Sequence, residues 1–518
     1  MALLSCFTIS SSIRAGEWTF VPDFSINETF TDNLELITED KESSLVSQAI
    51  IGLNLNYQSR LASFSFSGSN NNLFYSHDSD LNDNYLTLAT EMQSYLWTSG
   101  PELIASAQIS NTSGNSANNE LADLISGDTI QSENYSTGLR YNVHNNDFSI
   151  QSSLIYSIND YEDDIGENND VSAIFNTSSG ENTHFSFWQI STYFSKRNQD
   201  FSGGTRSGKQ YKIDASLGVK TPLDLRIFVR FYDEDFSGNS INQSQQTSSS
   251  LGPGFRWLVT PQFNVDFSYN YVEDDTVSDD YVTATLRWDP SARTSLNLGY
   301  SQRFFGNSYN LDIKHKTKRL TSSVSYTENL QVFDRGNFEL VDLGQFWCPP
   351  SEDPTRNILQ CIVSSNQPSN NDLTLTPFFS FEPIESNAFS LTKNFQWTST
   401  LQLARTSFGI NTAASRREGL ESKIVDDSLS TSVTIDRKIS GKSNLIFSAS
   451  YNYLIFDKNN PGGSRQKDHY RTISATYTKN LAESLSTNLT IRHVNRSSNI
   501  DQYTYDEVRA IINVKKEF

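Results

Sequence analysis

A period-two alternation of apolar and polar residues recurs along this chain, and it narrows the possible folds more than any other feature. Phe148, Ile150, Leu154, Tyr156 and Ile158 alternate with Ser149, Gln151, Ser153, Ser157 and Asn159. Tyr211, Ile213, Ala215, Leu217 and Val219 alternate with Lys212, Asp214, Ser216, Gly218 and Lys220. Further on, Phe263, Val265, Phe267, Tyr269 and Tyr271 repeat the pattern, as do Leu445, Phe447, Ala449, Tyr451, Tyr453 and Ile455. Such runs place one side-chain row on each face of a strand. No comparable helical period survives over a long window. Short turns, such as Thr260-Pro261-Gln262 and Ser440 to Ser443, join one pair of strands. Longer acidic, Asn/Ser/Gly-rich segments join the next: Asn70 to Asn84, Thr112 to Glu133, Tyr161 to Asp170, Asp233 to Gln246 and Asp457 to Asp468.

Composition decides what kind of sheet this is. Of 518 residues only 36% are hydrophobic, and the net charge is −20. Soluble domains average about 45–50% apolar, so the chain is poor in core material. Disorder would account for that, but not for 33 Phe, 23 Tyr and 7 Trp. No apolar run approaches the ~18 residues of a membrane helix. A sequence pI of 4.7 argues against nucleic acid, whose phosphates would be repelled. A soluble multi-domain β-sandwich chain would need linkers, and no composition break divides the strands. A transmembrane β-barrel needs this pattern. Its backbone groups pair only if the sheet closes, one face meets lipid and the other a wet lumen. The expectation is a single all-β antiparallel barrel of about 24 strands, within about 20–26, with short periplasmic turns and long extracellular loops. It lies in a bacterial outer membrane, among its lipids and lipopolysaccharide. Trp18, Trp97, Trp257, Trp288, Tyr57, Tyr141 and Tyr477 fall near inferred strand ends, where the two interfacial aromatic girdles belong.

Residues 1–15, MALLSCFTISSSIRA, read as a secretory signal cut after Ala15, although no basic residue precedes the apolar stretch and Ile13 is large. Leu3-Leu4-Ser5-Cys6 permits a lipoprotein reading, but the apolar region before it is short. The barrel then covers 16–518, with a long irregular loop at about 334–388. That loop holds Cys348 and Cys361 in WCPPSEDPTRNILQC. An oxidising compartment favours a disulfide between them, the alternative being two unpaired thiols. The end, DEVRAIINVKKEF, places Ala510, Ile512, Val514 and Phe518 on one face. This resembles the terminal strand signal read by bacterial barrel-assembly machinery, an expected partner. Lys516 stands where an apolar residue is usual, and its ammonium is expected to reach toward the headgroups.

Three segments carry a family resemblance: FVPDFSINETFTDNLEL (Phe20 to Leu36), YSQRFFGNSYNLDIKHKTKRLTSSVSYTENL (Tyr300 to Leu330) and LTKNFQWTSTL (Leu391 to Leu401). They resemble recurring segments of the outer-membrane barrel family associated with PEP-CTERM/exosortase systems. The resemblance implies an association with exopolysaccharide production and protein sorting in Gram-negative bacteria. It implies exopolysaccharide or its export apparatus as a partner, and no catalytic residues.

No catalytic motif stands in a supporting context, so no enzyme, cofactor or metal centre is expected. The six His residues are dispersed. The acidic runs at His77 to Asp83 and Tyr161 to Asp164 offer oxygen ligands for Ca²⁺ but lack EF-hand spacing, and a solvated anionic surface is the plainer reading. Taking the polar strand face as inward, Lys212, Asp214, Lys220, Arg226, Arg230, Asp266, Arg287, Arg303, Arg492, Glu507 and Arg509 face the lumen. Mixed charges there line a pore or tie down a plug or loop, and a uronic-acid-rich polysaccharide would favour the basic ones. Three functions follow: a channel or scaffold for exopolysaccharide export, a nutrient-uptake porin or receptor, and a structural surface protein without transport. An energy-coupled receptor carries an N-terminal plug domain, and here strand pattern begins almost at Gly16.

Overall fold

The computed structural model describes residues 16–113, 125, 129–161, 166–201, 204–238, 246–273, 279–303, 305–331, 338–348, 374–383, 390–419, 425–456 and 465–518. The predicted signal at 1–15 lies outside them, as does Cys361.

Strands β1 (Glu17–Thr31), β2 (Ser44–Gln58), β3 (Ala62–Tyr75), β4 (Asp83–Tyr95), β5 (Glu102–Ser113), β6 (Thr129–His144), β7 (Phe148–Tyr161) and β8 (Gly166–Ser179) open the chain. Next come β9 (Ser186–Phe201), β10 (Gly204–Lys220), β11 (Leu225–Gly238), β12 (Gln246–Thr260), β13 (Phe263–Val272), β14 (Tyr281–Ser291), β15 (Thr294–Arg303), β16 (Gly306–Lys316) and β17 (Leu320–Gln331). A hairpin, β18 (Phe338–Cys348) and β19 (Thr374–Pro383), precedes β20 (Ser390–Gln402), β21 (Thr406–Gly419), β22 (Val425–Ser440), β23 (Ser443–Phe456), β24 (Gln466–Ala482), β25 (Leu485–Ser498) and β26 (Tyr505–Glu517).

Twenty-four strands form one antiparallel sheet, and β18 and β19 form a separate pair. β17 pairs with β20 from Leu320↔Leu401 to Gln331↔Ser390, so the wall continues past the hairpin. β26 returns to β1 from Asp23↔Glu517 to Thr31↔Arg509. The sheet therefore closes and leaves no edge, which is what a hydrocarbon surround demands. Phe24, Ile51, Leu217, Val229, Ile491 and Ile512 are exposed on its outer face. A chain that turns such a band outward, with hydroxyl and amide side chains inward, is an outer-membrane β-barrel.

Three expectations need correction. Strands reach 17 residues (β10 and β24) and run well into the acidic segments read as loops. β3 continues to Tyr75, β6 begins at Thr129, β8 at Gly166, β11 ends at Gly238 and β24 begins at Gln466. Spanning hydrocarbon takes only about 9–11 residues. Beyond it the ladder still pairs, but water on both faces removes the need for apolar alternation. The second correction concerns 334–388, which contains a hairpin. A register shift between Asp342 and Gly344 breaks the alternation of β18, and Pro377 lies within β19, opposite Gln345. Proline is tolerated there because each strand of a two-stranded sheet has a free edge. The third concerns the girdles. All seven aromatics named above fall toward the short-turn end. Trp18 packs on Tyr57 with ring centroids 4.7 Å apart. The opposite end uses tyrosine: Tyr135, Tyr156 and Tyr269 donate to Glu133, Asn169 and Asp280 at 2.7, 3.0 and 3.2 Å. There an apolar ring stays in lipid while its hydroxyl meets polar groups.

At the seam, the Phe518 backbone N–H donates to Pro22 O at 2.9 Å. Ala510, Ile512, Val514 and Phe518 share the outward row of β26. Lys516 turns back, donating to the Ser484 hydroxyl and lying 5.7 Å from the Phe518 ring. A small apolar cluster of Leu34, Val46 and Leu73, with Tyr75, Tyr85 and Ile125 against it, packs at the long-loop end.

Candidate functional site

The charged positions assigned to the lumen by alternation lie on the strand rows between the outward apolar ones. The structure gathers seven of them along one arc. In β10 and β11, Arg230 donates through Nε and Nη2 to Asp214 Oδ1 and Oδ2, at 2.9 and 2.8 Å. Its Nη1 donates to Thr283 Oγ1 at 2.9 Å and Asn270 Oδ1 at 3.3 Å. Arg230 is only 6% exposed, and this paired fork is what makes so buried a guanidinium tolerable. One layer nearer the long loops, Arg303 donates through Nε to Glu234 Oε2 at 3.0 Å and through Nη2 to Oε1. The Tyr232 hydroxyl donates to Glu234 Oε2 at 2.6 Å. Lys212 faces Glu234 across the ladder, with its Nζ 5.7 Å from the Tyr232 ring.

Nearer the short turns the balance of charge changes. Arg226 faces Arg256 directly in the β11–β12 register. Arg256 is neutralised: its Nε donates to Asp266 Oδ1 at 2.6 Å, and its Nη2 to Asp266 Oδ2 and to Gln189 Oε1. Arg226 makes no hydrogen bond or ion pair among the described residues. Its guanidinium carbon lies 5.3 Å from the Phe187 ring centroid, and that of Arg256 lies 5.1 Å from it. Phe187 is backed by Phe228, with centroids 5.9 Å apart. A Cβ at Gly254 would lie 2.5 Å from the Phe228 ring, so only glycine lets that ring lie over β12. Lys220, opposite Arg226 on β10, donates to Gly180 O at 2.9 Å and Thr183 Oγ1 at 2.7 Å, tethering the β8–β9 turn. A recess of about 810 Å³ opens before these groups, lined by Asn142, Gln151, Asn176, Gln189, Arg226 and Arg256 among others.

The remaining charged positions are not part of this arc's clusters. Arg287 pairs with Asp289 at 2.9 Å on an exposed part of β14. Arg509 donates to Glu507 Oε1 at 2.8 and 2.6 Å, and Glu507 also accepts from Thr31 Oγ1 at 2.6 Å across the closing seam. Arg492 faces Arg509 in register.

Elsewhere hydroxyl pairs line stretches of the lumen wall. Ser69–Thr87 and Ser106–Ser136 each meet at 2.7 Å toward mid-height, and Ser149–Ser178 meets at 2.7 Å at the short-turn end of β7 and β8. Ser323–Thr398 and Ser448–Ser474 meet at 2.6 Å, and Thr476–Thr490 at 2.9 Å. Ion pairs in this part stand at the rims. Arg496 and Asp468, both buried, pair at 2.8 Å near the long loops, and Arg140–Glu102 pairs at 3.5 Å near the short turns.

Histidines serve as hydrogen-bonding groups. His77, His315 and His469 lie 2.9, 2.8 and 2.8 Å from the hydroxyls of Ser44, Thr294 and Tyr451. The Asp78 carboxylate caps a short 3-10 turn, Ser79–Leu81. Among the described residues no group of three or more His, Cys, Asp or Glu is arranged to hold a metal ion. Cys348 ends β18; the rest of the predicted disulfide loop, like Glu162 to Asp164, lies outside the described residues.

Sequence reasoning missed Arg256, Phe187, Tyr232 and Glu234. Arg256 was legible, since it alternates with the outward Phe255 and Trp257. Glu234 was not: in the run Asp233-Glu234-Asp235 every residue is polar and no apolar neighbour reveals the face.

No family model matches this chain, and no curated protein matches it. Among solved structures it is similar to the siderophore receptor PirA from Pseudomonas aeruginosa. Identity is 10%, the match covers 96% of this chain and 80% of that chain, and the TM-score is 0.42. PirA from Acinetobacter baumannii matches at 9% identity over 96% and 80%, TM-score 0.45. The FrpB iron transporter from Neisseria meningitidis matches at 8% over 96% and 81%, TM-score 0.44. Likeness this distant says nothing of substrate, and the barrel assignment stands on the closed strand register.

Proposed function

We propose that this outer-membrane barrel conducts hydroxyl-rich solutes, carbohydrates above all. The observation that carries the reading is the set of Ser and Thr pairs that lines the lumen wall from β3 to β6 and, on the other side of the charged arc, on β17, β20 and β23 to β25. Hydroxyls both donate and accept, as sugar hydroxyls do. Exchanging such bonds for water costs little net free energy, so a solute can bind and still leave. Porins with about 16–18 strands already hold an aqueous channel, and a 24-stranded wall encloses more.

Two cargoes fit this lining. The resemblance to barrels of PEP-CTERM/exosortase systems favours export of an exopolysaccharide, with its export apparatus as partner. The side recess, of a volume that suits a small molecule, favours uptake of a small nutrient. Deleting the gene separates them. Loss of secreted polysaccharide supports export; unchanged polysaccharide with slowed uptake of labelled oligosaccharide supports the nutrient reading. A purified barrel that never conducts in planar bilayers sinks both and leaves a structural surface protein.

A further inference from the structure

We infer that Arg226, with Arg256 and Phe187, forms a carboxylate-binding subsite in the lumen wall, and that the recess before it takes an acidic sugar. The inference deepens the carbohydrate-channel reading and rests on it for the choice of ligand.

The argument begins with charge. Lys220, Arg226 and Arg256 share one layer of the β10–β12 wall, and Asp266 is the carboxylate bonded within it. Asp224, in the β10–β11 turn, is exposed and makes no hydrogen bond or ion pair with Arg226. Like charges directly opposite on neighbouring strands are unfavourable. Asp266 bonds Arg256 and the turn carbonyl holds Lys220, so Arg226 is the cation of this layer with no bonded carboxylate, Asp266 and Asp224 acting on it only through space. It is nevertheless positioned: its guanidinium rests at the Phe187 ring, which is itself 3% exposed and held by Phe228. A guanidinium stacked on a fixed ring loses less freedom when it binds, and its fork matches a carboxylate in two parallel hydrogen bonds.

The second element is the recess. About 810 Å³ lies in the range of small-ligand sites, and its walls supply neutral groups suited to sugar hydroxyls. Asn142, Gln151 and Asn176 stand across from Arg226, and Ser191 donates to Asn176 at 2.7 Å. One cation faced by amides and hydroxyls is the complement of a ring bearing one carboxylate and several hydroxyls.

Calorimetry on the detergent-solubilised full chain tests this with trigalacturonate, maltotriose and inorganic phosphate. Trigalacturonate is expected to bind at least about tenfold tighter than maltotriose, and Arg226→Gln to remove that difference. Arg226→Lys, which keeps charge but loses the fork, is expected to fall between. Arg287→Gln, removing an exposed lumen cation elsewhere, leaves binding unchanged. Equal affinity for the acidic and neutral trimers overturns the inference, as does loss in Arg287→Gln equal to that in Arg226→Gln. Phosphate binding as tight as trigalacturonate overturns the sugar assignment. If Arg226→Gln fails to give the heat-modifiable folded band, Asn176→Leu replaces it: this fills the recess from the facing wall and must also weaken trigalacturonate. Binding needs no conduction. A barrel that binds trigalacturonate but never conducts refutes the channel and keeps the subsite; one that conducts without discriminating does the reverse.

Discussion

The lumen wall has two arcs built on the same strand geometry and opposite chemistry. From β9 to β15 the mid-height rows carry Arg230–Asp214 and Arg256–Asp266, buried or half-buried and bonded through both guanidinium edges. From β3 to β6 and from β17 to β25 the same height carries Ser and Thr pairs, with Arg492 opposite Ser474 the charged exception, and the ion pairs named above stand at the rims. The difference teaches where rigidity and permissiveness lie. A buried fork is costly to break and holds three or four strands in one register. A hydroxyl pair is weak and replaceable, which suits a surface along which solute slides. On the proposed function, the wall is stiff where it selects and soft where it conducts.

Four substitutions would sharpen or break this contrast. The largest effect is expected for Asp214→Ala, which leaves Arg230 buried beside only Asn270 and Thr283. Unfolding in urea from lipid vesicles should show a loss of about 3 kcal/mol or more. A loss below that of a hydroxyl deletion would mean the charged arc is no stiffer than the other. Next, a lysine at Leu298, an outward residue of β15, should cost about 2–4 kcal/mol if it sits at mid-membrane; refolding yield and the same urea titration measure it. Ser448→Ala, on the permissive arc, should cost about 0.5–1.5 kcal/mol, since Ser474 keeps access to water. The smallest effect belongs to Arg287→Gln, whose exposed pair with Asp289 should contribute under about 1 kcal/mol and vanish in high salt. Ranking Ser448→Ala above Asp214→Ala by measurement would invert the assignment of the two arcs.

Much of the architecture was readable beforehand, for a physical reason. A strand in hydrocarbon must alternate, so Lys212, Arg230 and Arg226 could be placed on the inner row from their neighbours alone. The same reasoning stopped where water bathes both faces. The upper reaches of β3, β6, β8 and β11 looked like loops because nothing there requires an apolar residue. The hairpin β18–β19 was hidden by a register shift and by Pro377. Arg256 was readable from Phe255 and Trp257, yet its importance was not, because its partners Asp266 and Gln189 come from other strands.

The sequence by itself determined the period, the approximate strand number and, where apolar neighbours alternate with them, the strand row on which charged residues stand. These follow from local sterics and from what lipid excludes. Only the tertiary structure decided which charges meet. Barrel closure sets β26 against β1, and strand register sets Arg226 opposite Arg256 while giving Arg256 the Asp266 carboxylate. Pairing across strands depends on register, and register is a property of the whole closed sheet. That is why Arg226, without a bonded carboxylate beside its recess, appears only once the barrel is built.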